Sequence, residues 1–436
     1  MDKQLREQIK DIMQHEVVPA TGCTEPGAVA LCVAKAVETL GSMPASVRLK
    51  LSKNVFKNAM GVGIPGTGMI GLPIAVAMAV THGNSMRGLE VLTMPENQVQ
   101  DAKQWLANHA DSINISVKEN GDKLYIECLA EANGHAATAV IAKRHTDFVH
   151  VEHDGKVVFN QKHGLIAEEK QDEDAGQLHL TARMVYDYAT SAPLDELDWL
   201  RETVTYNNAA SECGLEGMGL HTGQILMEQA RGDMVHTVVA RTVAASDARM
   251  DGCTRPVYSN SGSGNQGICC TLPVYYYGKL KGNTDEQILR ALTMSHLMSI
   301  YIKRGIGRLS ALCGIVNATM GVSAALTYLE VCGANAAPDG NAGSFEQVGY
   351  ALKNMINTIA GMVCDGAKPS CALKMSVGLY SAFVCSELAV HSRVVDSTDG
   401  LSESDLDCSI RNLGRLGKDG MNQTDDMILD IMTHKK

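Results

Sequence analysis

The chain has 436 residues, 45% of them apolar and 20% charged, which is a globular balance with room for more than one core. A net charge of −11 repels phosphate backbones, and no basic arm occurs, so nucleic-acid binding is not expected. Aromatic residues are only 4%, so the core is built from Ala, Val, Leu, Ile and Met with 41 Gly, a composition of closely packed helices rather than of an all-β sandwich. The charged N-terminus has no apolar h-region, and the apolar run from Met69 to Val80 is too short to span a bilayer. The expectation is a cytoplasmic protein without membrane contact. Thirteen cysteines in a chain without an export signal argue against a disulfide framework. Cys32, Cys128, Cys269, Cys270 and Cys385 sit in apolar runs and read as packing residues.

Leu5, Ile9, Ile12 and Met13 recur at helical spacing, and Pro19 ends that helix. Thr21-Gly-Cys-Thr-Glu-Pro26 follows, then an apolar helix to Leu40, with Thr24 or Glu25 as its cap and Pro26 in its first turn. Cys23 then lies just before a helix N-terminus, where the dipole favours a thiolate; an ordinary linker residue beside a cap is the other reading. Residues 46–52 alternate as a strand. The loop Gly61-Val-Gly-Ile-Pro-Gly-Thr-Gly-Met-Ile-Gly71 opens another apolar helix and can cradle a small anion or simply pack tightly. It lacks the ending of a P-loop.

A helix is predicted over 95–109. From about residue 113 the pattern alternates, with turns at Asn120-Gly, Asn133-Gly and Asp154-Gly, which predicts antiparallel hairpins. His135, His145, His150 and His153 fall there at irregular spacing and read as polar-face residues rather than metal ligands. Residues 163–178 are polar and acidic and look like a linker. Helices are then predicted at 180–190, 196–207, 215–231, 233–247, 284–303, 308–330, 345–363, 372–390, 403–415 and 423–434. The fold class is α+β: a mixed part over 1–175 with a small antiparallel sheet, and an all-helical part over 176–436.

Two stretches offer chemistry. Cys364 and Cys371 flank a Gly- and Pro-rich turn, and Cys313 lies upstream. Three soft thiolates brought together select zinc or an iron–sulfur cluster, but the spacing lacks the close cysteine pairs of structural zinc, and three buried cysteines fit it as well. The loop Asn260-Ser-Gly-Ser-Gly-Asn-Gln-Gly267 offers backbone N–H groups together with Asn260, Ser261, Ser263 and Asn265, a set suited to a carboxylate. Lys57, Asn58 and Arg249 are further polar candidates, for which surface or packing roles serve equally.

Ala20-Thr-Gly-Cys-Thr-Glu-Pro26, Ile64-Pro-Gly-Thr-Gly68, Ala245-Ser-Asp-Ala-Arg-Met250, Ser259-Asn-Ser-Gly-Ser-Gly-Asn-Gln-Gly267, Arg308-Leu-Ser-Ala-Leu-Cys313 and Cys364-Asp-Gly-Ala-Lys-Pro-Ser-Cys371 together resemble the L-cysteine desulfidase family. That family is related to the alpha chain of iron–sulfur L-serine dehydratases, and the resemblance covers nearly the whole chain. It implies a [4Fe–4S] cluster held by Cys313, Cys364 and Cys371, with Cys23 as catalytic base and no PLP. The implied reaction is elimination from L-cysteine to pyruvate, ammonia and hydrogen sulfide. Where the dehydratases carry a Cys-Asp-Pro turn, this chain has Cys364-Asp-Gly with a shorter interval to Cys371. L-serine, another β-substituted acid, or a non-catalytic role in binding a cluster or an amino acid therefore stay open. The Gly- and Ala-rich helices suit a homodimer and equally a monomer's core.

Overall fold

The computed structural model describes residues 1–118, 124–160, 178–307, 310–332 and 345–434. Two hydrophobic cores organise them. The first spans residues 28 to 151 and sits between a six-stranded sheet and the helices Thr24–Leu40 and Leu72–His82. The strand Ser46–Leu51 buries Val47, Leu49 and Leu51 and turns Arg48 and Lys50 outward. Tyr125–Ala132 alternates in the same way. One face is thus wetted and the other covered, as period-two sequences demand.

The α+β class stands. The sheet itself is mixed rather than purely antiparallel: Ser46–Leu51 pairs antiparallel with Tyr125–Ala132 on one side and parallel with Ile113–Val117 on the other. A parallel pair needs a long crossover, here supplied by the intervening helices, and no turn signal announces it. The hairpins onward from Tyr125 are as predicted. Cys32 and Cys128 are fully buried at this sheet, and the Cys32 thiol donates to the Ala139 carbonyl at 3.2 Å. His135 bonds Asp154 and His150 bonds Glu152, as polar-face residues do.

The second core is helical and runs from residue 180 to residue 421. The N-terminal helix Lys3–Glu16 joins it, because Ile9 and Met13 are buried there. Each such side chain contributes about 1.5–3 kcal/mol. The helices Met234–Met250, Gly264–Lys281, Asp285–Ile306 and Gly314–Cys332 form its centre. Gly321 lets its helix approach Ser295 on the neighbouring helix at backbone distance. The segment Gly264–Lys281 carries no predicted helix, since Gly264, Gly267 and Pro273 are poor helix formers. It is helical because it is buried almost all round, Pro273 included. The acidic segment 163–178 and the boundary expected near residue 175 lie almost entirely outside the described residues. Among the described residues one helix, Cys371–Val390, is long and apolar enough to cross a bilayer; it packs on Gly314–Cys332, with Gly378 against Thr319.

Three ties join the cores. Pro19–Ala20 pairs with Val257–Tyr258, and the Ser259 N–H donates to the Val18 carbonyl at 2.8 Å. Gly66 donates to the Gly252 carbonyl at 3.1 Å. Gly63 rests directly on the Asp251–Gly252 peptide, where a Cβ would overlap backbone atoms. Gly63→Ala should therefore lower stability by about 1–3 kcal/mol, read from the urea midpoint. Gly361→Ala, with open space around its Cβ, should leave the midpoint unchanged; equal midpoints for the two variants would mean the seam is not tightly packed.

Candidate functional site

The functional candidates gather at this seam. Cys23 is the N-cap of the helix Thr24–Leu40, a position the cap reading gave to Thr24 or Glu25. Its thiol makes no cap bond and donates instead to Glu25 Oε2 at 3.1 Å. Asn58 Nδ2 holds the other carboxylate oxygen, Oε1, at 2.9 Å. Burial and the Glu25 carboxylate push the Cys23 thiol well up, while the Arg249 guanidinium pulls it down. The helix N-terminus alone therefore does not make a thiolate here: desolvation and a neighbouring anion outweigh it.

Cys313 and Cys364 lie on two loops joined like a short ribbon. Leu312 and Val363 form a β-bridge, the Cys313 N–H donates to the Met362 carbonyl at 3.0 Å, and the Cys364 N–H donates to the Ala311 carbonyl at 2.6 Å. Registered in this way, the Cys313 thiol donates to Cys364. That bond lowers the Cys364 thiol, helped by Lys57, the Gly366 N–H and Lys374, and raises Cys313. Cys371 begins the helix Cys371–Val390, with its thiol on the Gly366 carbonyl at 3.7 Å, and burial raises it. Lys374 pairs with Asp365 and donates to the Val363 carbonyl at 3.0 Å.

Lys57 and Arg249 are not surface residues. Lys57 is 3% exposed; its Nζ donates to the Cys364 carbonyl at 3.2 Å and pairs with Asp425 of the helix Asn422–Thr433. Arg249 is 6% exposed; Nη2 donates to the Gly22 carbonyl at 3.0 Å and Nη1 to Asn265 Oδ1 at 3.3 Å. Two runs of contacts thus connect Cys23 to the thiol trio. One passes through Glu25, Asn58 and Lys57 to Cys364. The other passes through Gly22, Arg249, Asn265 and Gln266, whose amide packs on Gly314 beside Cys313.

The loop 260–265 lies on the second run, but its side chains already have partners. The Asn260 amide is fully buried and donates to His296 Nδ1 and to the His296 carbonyl, each at 3.1 Å. Ser261 Oγ donates to Asn260 Oδ1, Ser263 caps the helix Gly264–Lys281, and Asn265 receives Arg249. Sequence reasoning missed Glu25 as a partner for Cys23, although the two stand two residues apart in one motif. It also missed Gln266, His296 and the Asn317 that holds Gln266 Oε1 at 2.7 Å. Asp425 carries no local signal at all.

The donor set can be tested against a metal group. Among the described residues no three His, Cys, Asp or Glu side chains converge to hold a single ion, so a mononuclear zinc centre does not fit. Three thiols on adjoining loops, faced by Lys57 and Lys374 and carrying one lowered thiol, do fit the ligand chemistry of an iron–sulfur cluster.

Fold and site define an α+β protein whose thiol-rich centre lies where a sheet-bearing core meets a helical one. The family described as serine dehydratase alpha chain matches residues 87–430, and this chain belongs to that family. It is also similar along its length to UPF0597 proteins of Phocaeicola vulgatus (49% identical, 99% of this chain and 98% of the relative) and Bacteroides fragilis (48%, 100% of both). A UPF0597 protein of Aeromonas hydrophila is 42% identical over 98% of this chain and 95% of its own.

His296 gives the site a pH signature. It is fully buried, and burial pulls its imidazole from the usual 6.5 to about 3. Nδ1 receives the Asn260 amide while Nε2 meets Thr271 Oγ1 at 3.0 Å. As pH falls below 6.5 the unfolded chain takes up a proton that the folded chain refuses, so stability drops with pH by up to about 1.4 kcal/mol per unit. His296→Gln should show a shallower fall in urea midpoint between pH 6.5 and 5 than the parent; an equally steep fall would assign the acid sensitivity to other groups.

Proposed function

We propose that this chain is an iron–sulfur-dependent lyase that eliminates the β-substituent of a small L-amino acid, with L-cysteine as substrate. What carries this reading is the pair of contact runs joining Cys23, on one core, to Cys313, Cys364 and Cys371 on the other. Family membership supports the reaction class. Cys313, Cys364 and Cys371 would hold a [4Fe–4S] cluster, which when bound supplies a Lewis-acidic iron for the leaving group.

The protein's own residues do the rest. The substrate carboxylate docks at the loop 259–267, at the N-terminus of the helix Gly264–Lys281. Cys23 removes the Cα proton. Its thiol is protonated at rest and already points its hydrogen at Glu25, so Glu25 takes that proton first and leaves a thiolate. Asn58 fixes the Glu25 carboxylate for this transfer. Loss of the Cα proton and of HS⁻ leaves aminoacrylate, which tautomerises and adds water to give pyruvate and ammonia. The hydrogen sulfide leaves with one proton.

L-serine is the second reading, favoured by the description of the matching family. Pyruvate and sulfide release from L-cysteine, measured beside pyruvate release from L-serine without oxygen, decides between them. Cys23→Ala should lower turnover by about 100-fold or more while the cluster absorbance stays. Cys364→Ser should lose that absorbance. A protein purified without oxygen that held no iron or sulfide and accepted neither on reconstitution would end this reading, as would full activity in Cys23→Ala.

A further inference from the structure

Arg249 is a buried cation without an anion. It is 6% exposed, and among the described residues it forms no salt bridge. Its Nη1 and Nη2 reach only an amide oxygen and a backbone carbonyl. Nε is buried as well and has no hydrogen-bond partner. Taking a guanidinium out of water without a counter-charge is costly, and structures tolerate it where a charge is due to arrive.

The place next to Nε is a glycine. A Cβ on Gly264 would overlap Nε, so the first residue of the helix Gly264–Lys281 leaves open the space that any other side chain would fill. The first-turn N–H groups of this 18-residue helix and its positive dipole end meet the guanidinium there. Two independent features therefore call for negative charge at one point, a helix N-terminus and an unpaired arginine. Through Gly22 the same arginine sits one residue from Cys23.

We propose that Arg249, with the N-terminus of the helix Gly264–Lys281, is the receptor for the substrate's α-carboxylate. The inference deepens the lyase reading and rests on it for the identity of the ligand as an amino acid. Arg249 thereby has two effects. It anchors the carboxylate by charge-assisted hydrogen bonds, and it keeps Gly22, and so Cys23, at a fixed distance from that anchor. Asn265 holds the guanidinium in plane. Asn260, Ser261 and Ser263 shape the turn that presents the helix end, since their side chains are used within it.

The test uses the full chain, purified and held without oxygen, with L-alanine and L-alaninamide as probes in calorimetry. Neither has a β-leaving group, and they differ only in the carboxylate. The wild type should bind L-alanine about tenfold to 100-fold tighter than L-alaninamide. Arg249→Gln should abolish that preference with the cluster spectrum unchanged, and Arg249→Lys should restore part of it. Gly264→Ala, which keeps the arginine but crowds Nε, should also weaken L-alanine selectively. A purely structural arginine would weaken both probes alike. The inference is overturned if the wild type binds neither probe or does not distinguish them, or if Arg249→Gln keeps the preference. Turnover of L-cysteine and L-serine is read separately. A lost preference in a protein that turns over neither substrate sinks the lyase reading and leaves the anion site standing. Turnover with the preference intact in Arg249→Gln does the reverse.

Discussion

Two buried cations hold the seam on which everything else depends. Lys57 reaches from the sheet-bearing core to the loop of Cys364 and to Asp425. Arg249 reaches from the helical core to the carbonyl of Gly22. A cation removed from water must be compensated, so each fixes the backbone groups it bonds as firmly as its own position. Lys57 is neutralised by Asp425 and is a structural tie. Arg249 meets only neutral acceptors and is left with charge to spare. The same device therefore serves assembly at one end of the site and recognition at the other.

The thiols around this seam are sorted by their neighbours. Cys364 is lowered by a thiol donor and two lysines, Cys23 is raised by burial and a carboxylate, and Cys32, Cys128, Cys269 and Cys270 are raised by burial. Chemically identical side chains thus become a ready ligand, a guarded base and inert packing. Guarding has a physical use. A thiol protonated at rest resists oxidation, and one that already donates to Glu25 needs little reorganisation to give the proton up.

Much of this was legible in the residues, and what was not has identifiable causes. The helices Glu96–His109 and Asp285–Ile306 carry periodic apolar faces, the latter with a Thr284 capping box, and they stand where predicted. Buried cysteines in apolar runs were equally plain. The helix Gly264–Lys281 was hidden because glycine and proline argue locally against it, and only burial on all sides overrides them. The parallel strand pair was hidden because register across some 60 residues leaves no local mark. Lys57 and Arg249 could not be told from surface residues, since their partners are 307 and 227 positions away in sequence. Position alone exposed Cys23, but its protonation depends on Glu25 and on burial, which only the fold reveals.

The long reach of Lys57 has a consequence for biogenesis. Asp425 is 368 residues from Lys57, so the pair closes only when the chain is almost complete. At a synthesis rate of roughly 5–20 residues per second, Cys23 emerges on the order of 20–80 s before its distant partners. The sheet-bearing core can fold early around its own contacts, whereas the thiol centre waits for the last helix. Contacts of such separation form slowly. The centre is thus the final part of the molecule to take shape, and a chain cut short near its end keeps a folded first core but has no finished site.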